Sequence, residues 1–396
     1  MRIALIADAF PPLRTSGAVQ LRDLSRELIF QGHSVTVLLP DAVQAEPWRL
    51  ELFDGATVVR LRAPRTKDVG YLRRALGEVF MPFFMFWNLR RSPLARDSWD
   101  GVVWYSPSIF HGYLANALKR SSGCTGYLIV RDIFPEWTVD MGLMGKGLAY
   151  RFFSAVARYQ YSVADVIGVQ TPGNRIYFES WLDREGRRLE VLPNWLGGVA
   201  TSHCPIRLVD TRLSGRKVFV YAGNMGVAQG IDSVLELAFR VRRRLDIGFL
   251  LVGRGSEAGR LKEEAAARNL ENVLFCDEID PDEISDLYAQ CVAGLVVLDP
   301  RHRSHNIPGK FLTYMQSGLP VLALVNPGND LVDLVRAEDV GVVSESRDPR
   351  EWVILLERLL GSVQTDDSLP DRCRRLFLRE YTAEAAARRI VSALSR

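Results

Sequence analysis

The residues of this chain best suited to chemistry sit in short glycine-bearing turns. Gly223-Asn224-Met-Gly226 follows the apolar run Lys217–Ala222 and leads through Gln229-Gly230 into a helical pattern from Ile231. Two glycines at a strand-to-helix turn let backbone N–H groups approach an anion, and the helix adds the positive end of its dipole. The next apolar run ends in Gly253-Arg254-Gly255, where the glycines clear room for a guanidinium at the same sheet edge. Farther on, Asn306-Ile-Pro308-Gly309-Lys310 opens a helix carrying Phe311, Tyr314 and Met315. A cation in a first helical turn opposes the dipole unless it meets an anion. Arg254 and Lys310 therefore read either as phosphate contacts or as solvated charges. Near the start, Ser16-Gly17 begins a helix after the Asp8-Ala-Phe-Pro-Pro loop, without a GxGxxG pattern, so Gly17 is either a phosphate contact or a turn glycine.

Carboxylates and imidazoles complete the candidates. Asp132 and Glu136 bracket Phe134-Pro135 after Tyr127–Val130. Two acids at a strand end suit acceptor hydroxyls or proton movement, with capping as the alternative for Asp132. His111 follows Ser106-Pro107 at a helix start and either reaches the facing edge or is a plain helix-terminal histidine. Ser16, Ser106 and Glu136 are the candidate acceptor contacts. In Arg301-His302-Arg-Ser-His305 the histidines stand three apart, but the arginines repel a cation and no carboxylate or thiol completes a site. No metal and no other cofactor is expected.

These residues must be held by large folded domains. The chain has 396 residues, 47% hydrophobic and 24% charged, which is the balance of globular domains and not of disorder. A net charge of +3 is too small for a dedicated nucleic-acid binder. Five scattered cysteines without a CxxC pair read neither as a disulfide framework nor as a zinc ribbon, and fit a cytoplasmic setting. The amino-terminal apolar run reads as a strand and not a signal peptide. The longest apolar run, Val79 to Trp87, contains Pro82 and falls short of the roughly 20 residues of a spanning helix.

Short β-branched runs alternate with amphipathic stretches in two series. Arg2–Ala7, Val35–Leu39, Val58–Leu61, Gly101–Trp104, Tyr127–Val130 and Asp165–Val169 form the first; Lys217–Ala222, Gly248–Val252, Asn272–Phe275, Gly294–Leu298, Pro320–Leu324 and Val340–Val343 form the second. The alternation predicts α/β architecture, with parallel sheets covered by helices. Two doubly wound Rossmann-like domains are expected, residues 1–198 and 199–375, facing a central cleft, with the hinge near Leu192-Pro-Asn-Trp195 and a final helix within 376–396.

The order of these segments resembles glycosyltransferase family 4, the retaining GT-B enzymes that use nucleotide-sugars. The resemblance rests on Phe10-Pro-Pro…Ser16-Gly17, Arg131-Asp-Ile-Phe-Pro-Glu136, Leu192-Pro-Asn-Trp195, Tyr221-Ala-Gly-Asn-Met-Gly226, Leu251-Val-Gly-Arg-Gly255 and Pro308-Gly-Lys-Phe-Leu-Thr-Tyr-Met-Gln-Ser-Gly318. The wording is most similar to the bacterial surface-polysaccharide and lipopolysaccharide branch. It implies that the second domain binds the donor and the first the acceptor, with the last helix packing back on the first. It also implies that Gly17, Gly223 and Gly226 lie at the donor phosphates, that Glu278-Ile279 holds the base, and that Pro308-Gly309 belongs to the donor site. The family's basic residues near the glycine loop are replaced here by Asn224 and Gln229, which leaves the pyrophosphate to Arg254 and Lys310. Its paired glutamates correspond to His305 and Thr313, of which Thr313 remains able to hydrogen-bond a ribose hydroxyl. Catalysis is then electrostatic, with no protein nucleophile required.

The segment from Val58 to Ser98 carries nine Lys or Arg against three acids and concentrates aromatics between Tyr71 and Arg91. Phe83, Phe84 and Trp87 beside Arg90 and Arg91 suit a helix lying on an anionic leaflet, although the run from Phe80 to Trp87 shows no clean amphipathic stripe and packing on the sheet is the alternative. The resulting expectation is a cytoplasmic enzyme attached peripherally to the inner membrane. It transfers a sugar with retention, from a UDP-linked donor, plain or N-acetylated, to a polyprenyl-linked or lipopolysaccharide saccharide. A nucleotide-sugar 2-epimerase and a non-catalytic nucleotide-sugar-binding membrane protein are the rivals.

Overall fold

Central apolar runs with no polar alternation can only be strands covered on both faces. The computed structural model describes residues 1–13, 15–66, 69–140, 142–198, 202–299 and 306–395, which fall into two units, Met1–Gly197 with Ala383–Arg396, and Gly198–Thr382.

The first unit runs β1 (Arg2–Ile6), α1 (Ser16–Phe30), β2 (Ser34–Asp41), β3 (Trp48–Phe53), β4 (Ala56–Arg62), α2 (Tyr71–Leu89) and β5 (Gly101–Tyr105). It continues with α3 (Gly112–Ser122), β6 (Thr125–Val130), α4 (Glu136–Asp140), α5 (Leu148–Val163), β7 (Val166–Val169), α6 (Glu179–Leu182) and β8 (Arg188–Val191). Its eight-stranded sheet has the order β3-β4-β2-β1-β5-β6-β7-β8. The sheet is parallel except for β3, an antiparallel edge strand joined to β4 through Asp54-Gly55. Both turn residues have positive φ, the geometry of a two-residue hairpin turn whose Asp-Gly signal stands in the sequence. Edge strands β3 and β8 are rich in charged side chains, which is why a search for apolar runs passes over them.

The second unit runs β9 (Lys217–Ala222), α7 (Asp232–Arg240), β10 (Ile247–Val252), α8 (Ala258–Ala267), β11 (Val273–Cys276), α9 (Ile284–Tyr288) and β12 (Ala293–Val297). Then come α10 (Gly309–Ser317), β13 (Val321–Leu324), α11 (Leu331–Glu338), β14 (Gly341–Ser344), α12 (Pro349–Thr365) and α13 (Leu369–Glu380). Its six parallel strands are ordered β11-β10-β9-β12-β13-β14. Strand order reverses between β9 and β12 here and between β1 and β5 in the first unit, and ligands of doubly wound sheets bind beyond the strand ends at such points.

The chain re-enters the first unit at Ala383 and not at 376, because Leu369–Glu380 is one helix packed against α10 of the second. There α14 (Ala383–Leu394) lies on α1. Ala383 N–H donates to the Leu196 carbonyl at 3.0 Å. Helix α1 starts at Ser16, where Thr15 caps it by accepting from Ala18 N–H.

Candidate functional site

In the second unit, two loops continue the sheet past its last regular residues. Gly223 N–H donates to the Val252 carbonyl at 2.9 Å and Met225 N–H to the Arg254 carbonyl at 2.8 Å. Their backbones are so close that a Cβ on Gly253 would lie 2.1 Å from Gly223 O, and one on Gly255 2.3 Å from Met225 O. Gly253 also has φ +135°, which L side chains rarely adopt. These glycines therefore clear room for the neighbouring loop, and not for the guanidinium as the sequence reading has it.

Under this turn lies Lys310. Its Cε is 3.8 Å from the position of a Cβ on Gly223, its Nζ donates to Gln229 Oε1 at 3.3 Å, and it sits 4.7 Å from the centroid of the Tyr221 ring. Tyr221 in turn donates its hydroxyl to the Asn224 carbonyl at 2.6 Å, fixing the loop. No carboxylate pairs with Lys310 among the described residues, and desolvation holds its pKa down to about 8. Gly223, Asn224, Gln229 and Lys310 are thus brought together, with Gly226 packed against the Asn224 amide. An ammonium held by one neutral amide and an aromatic face, beside exposed glycine backbone, has the chemistry of an anion contact.

Arg254 is not part of that group. Its side chain is 83% exposed and its Nε lies 2.9 Å from Glu278 Oε2. The guanidinium thus engages the residue expected to hold a base, with half-buried Ile279 next along the chain. Pro308 caps α10 with extended backbone and Gly309 is its exposed first residue. Thr313 turns its hydroxyl inward, donating to the Lys310 carbonyl at 2.9 Å and meeting Tyr288, so its hydrogen is spent within the unit. His305 lies outside the described residues. A cavity of about 300 Å³ beside Gly226 is lined also by Asp232, Glu257, Arg260 and Asp299. Its arginine is consumed by Asp232 at 2.8 Å and Glu257 at 2.7 Å. Of its lining residues Gly226 is marked in the sequence by its glycine turn; for Asp299 the signal is its place two residues beyond a strand at the switch point. Among the described residues no three His, Cys, Asp or Glu side chains cluster to hold a metal ion.

In the first unit the carboxyl ends of β1, β5 and β6 display Asp8, Ser106 and Asp132, with exposed Ser16 and half-buried Gly17 in the first turn of α1. Gly17 packs on Tyr105, whose ring lies 3.4 Å from the position of a Cβ there. The Tyr105 hydroxyl donates to Gln20 Oε1 at 2.9 Å. Arg131 donates to the Leu192 carbonyl at 2.7 Å and lies 4.6 Å from the Trp195 ring, while Trp195 Nε1 donates to the Gln20 carbonyl at 2.7 Å. One buried cluster therefore ties α1, the Asp132 loop and the segment Leu192–Trp195 together, and burial lowers the pKa of Arg131. Arg131, Gln20 and Tyr105 were not marked as positioning residues by the sequence; the one signal is a charged residue at the end of an apolar strand.

His111 does not reach a surface. Its side chain is 0% exposed and its Nε2 lies 2.8 Å from a carboxylate oxygen of Asp8, which is the partly exposed member of the pair. The start of α3 is drawn into the core because Gly112 packs on the α5 backbone, where a Cβ would lie 2.9 Å from Gln160 Cα. Ser106 is buried as well. Half-buried Glu136 opens α4; burial raises its pKa, and Tyr150 donates to it at 3.4 Å.

Helix α2 has a stripe that hydropathy does not reveal, because both of its faces are apolar. Met81, Met85 and Leu89 are buried, while Phe80, Phe83, Phe84 and Trp87 are exposed, Trp87 by 62%. Arg90 and Arg91 are exposed at its end, the Arg91 guanidinium 5.3 Å from the Trp87 ring. No helix among the described residues is long and apolar enough to cross a membrane.

Two doubly wound parallel-sheet units with ligand loops at their switch points define the GT-B class, and comparison with solved structures agrees. The UDP complex of HepE from Anabaena superposes with a TM-score of 0.67 over 100% of both chains at 14% identity. Residues 216–362 match the family model described as Glycosyl transferases group 1, so the chain carries a group 1 glycosyl transferase domain. Among curated proteins, WbjE of Pseudomonas aeruginosa, named as a glycosyltransferase, is 24% identical over 314 residues, covering 76% of this chain and 74% of its own. WcaI of Escherichia coli (strain K12), named as a glycosyl transferase of colanic acid biosynthesis, is 24% identical over 337 residues, 80% of this chain and 82% of its own. The protein is a glycosyltransferase.

Two measurements test the geometry. Gly253→Ala forces a methyl group into the Gly223 carbonyl and is expected to destabilise the second unit by about 2–4 kcal/mol in urea unfolding; unchanged stability would refute the loop contact. For Lys310, folding lowers the pKa from 10.5 to about 8, so between those values the unfolded chain holds more protons and stability rises with pH. Wild type is expected to gain on Lys310→Met across that interval, and a constant difference between them would contradict the desolvated ammonium.

Proposed function

We propose that the protein transfers a sugar from a UDP-linked donor, with retention, to a lipid-linked saccharide in bacterial surface-polysaccharide or lipopolysaccharide assembly. The observation that carries this reading is Lys310, a desolvated ammonium beneath the Gly223 turn with Gln229 as its neutral partner. A diphosphate supplies the charge that this ammonium lacks, and the exposed backbone of Gly223 to Gly226 supplies further donors. UDP as the nucleotide is supported by the HepE structures, described as complexes with UDP and with UDP-glucose. The polysaccharide context is supported by the name of WcaI.

In this mechanism the leaving phosphate accepts the proton of the acceptor hydroxyl on the same face of the sugar. Lys310 and the loop amides stabilise the charge that builds on the diphosphate. Arg254 joins from the rim by leaving Glu278, an exchange that an exposed ion pair permits at little cost. Glu278 is then available to the nucleoside, against Ile279. Asp8, held by His111, and Asp132 and Glu136 at neighbouring strand ends bind acceptor hydroxyls. The enzyme works attached to the cytoplasmic face of an anionic membrane, with Phe83, Phe84 and Trp87 at the acyl boundary and Arg90 and Arg91 on lipid phosphates.

Incubation of the purified protein with envelope lipid extract and a panel of nucleotide-sugars is expected to add one sugar mass to a lipid with a UDP donor only. An altered or freed sugar without acceptor would instead select an epimerase. Donor binding without turnover on any lipid would select a binding protein. Lys310→Ala is expected to lower kcat/KM by about 100-fold, the scale of losing a charge-assisted contact to the leaving group; an unchanged value removes Lys310 from the site. Joint replacement of Phe83, Phe84 and Trp87 by Ser is expected to reduce co-sedimentation with anionic vesicles while calorimetric UDP binding stays intact. Undiminished sedimentation would return α2 to a packing role.

A further inference from the structure

We infer that the membrane surface of the first unit is a platform of two helices, with α5 as a second ridge that inserts into an anionic bilayer beside α2. The inference rests on the membrane reading proposed above and extends it to residues in which the sequence shows no membrane signal. Helices α2, α3 and α5 cover one side of the sheet, since Met85, Leu114 and Ala157 belong to one core cluster, while α1 and α14 cover the other. On α5 the inward positions Ala157, Gln160 and Val163 are buried. Its outward positions include Leu148, 84% exposed, with Phe152 and Tyr159 each 44% exposed. These three fall at i, i+4 and i+11, a single stripe of a helix.

The two ridges are joined across α3. Phe83 of α2 stacks on Tyr113 at 4.1 Å between ring centroids. The preceding residue, Gly112, has no side chain, so the Tyr159 ring comes within 3.3 Å of where a Cβ would stand. Bulk at 112 would push α5 away and split the aromatic surface. Exposed Arg151 and Arg158 accompany the α5 stripe as Arg90 and Arg91 accompany that of α2.

This composition selects the occupant. A second copy of the chain docked by the same face would set arginines against arginines, because a two-fold contact pairs a patch with itself. A bilayer with anionic headgroups instead offers phosphates to the arginines and an acyl layer to Leu148, Phe152 and the rings of α2. Two separated ridges also fix the rotation of the unit about the membrane normal, which one helix leaves free.

The experiment uses the full-length protein and vesicles of phosphatidylcholine alone or mixed with phosphatidylglycerol. Leu148→Ser/Phe152→Ser is expected to lower the partition coefficient on mixed vesicles by about tenfold, as loss of two inserted side chains implies, with UDP binding and monomeric sedimentation unchanged. Arg151→Glu/Arg158→Glu is expected to reduce binding to mixed vesicles at low salt and to leave the weak binding to neutral ones unaltered. If both α5 variants bind like wild type while the α2 variant detaches, the second ridge is wrong and the membrane reading survives. If wild type itself ignores both kinds of vesicle, the membrane reading falls and the platform with it. A concentration-dependent dimer dissolved by the α5 variant, with vesicle binding unaffected, would give the face to a second copy.

Discussion

A buried ammonium is tolerated only if something nearby rewards its charge, and Lys310 has little inside its own unit to do so. Gln229 offers one carbonyl oxygen and Tyr221 the face of a ring, and no acid pairs with it among the described residues. Desolvation consequently draws its proton affinity down towards neutrality. A carboxylate partner would have stabilised the charge permanently and closed the site to anions. The neutral partners leave the charge of Lys310 uncompensated within the described residues. Arg254 shows the opposite solution: it is paired with Glu278 in solvent, where an ion pair contributes little and is broken at little cost. The two cations thus differ in kind: one is held by neutral groups under the turn, the other is ion-paired at the surface.

The cost of that arrangement falls on the backbone. The turn above Lys310 is held by the loop after β10, which lies flat against it because Gly253 and Gly255 put nothing between them. The first unit reaches a comparable precision differently. There a buried polar cluster of Arg131, Trp195, Gln20 and Tyr105 fixes the first turn of α1 against the β6 loop. Backbone contact suits a site that must present N–H groups; a side-chain cluster suits one that must hold carboxylates at defined spacings.

Much of the architecture was legible because parallel, doubly covered strands have an unmistakable composition: β9 and β10 were readable from apolar runs to within a residue. Strands β3 and β8 were not, since edge position admits charged side chains and erases that contrast. In the candidate site, sequence order brought Gly223, Asn224, Gly226 and Lys310 to one strand edge, where the structure also has them. It could not tell that Arg254 turns to Glu278 or that Thr313 turns to its own helix, because side-chain direction depends on neighbours remote in the chain. The burial of His111 was not legible for a related reason: a helix start usually lies at the surface, but Gly112 allows α5 to close over this one. The partly exposed partner of His111 at the strand ends is Asp8, a residue that nothing in its immediate sequence singles out.

Helix α2 illustrates the same limit in another form. A helix that is apolar all round is ordinarily one buried all round, and hydropathy cannot separate that case from a helix with one face in a protein core and another meant for lipid. Burial separates them at once: Met81, Met85 and Leu89 are inside, and Phe80, Phe84 and Trp87 are not. Keeping several large rings in water forfeits roughly 25 cal/mol for each Å² left uncovered, so a stripe of exposed rings with arginines beside it is the feature from which the membrane proposal starts, and burial, not hydropathy, is what reveals it.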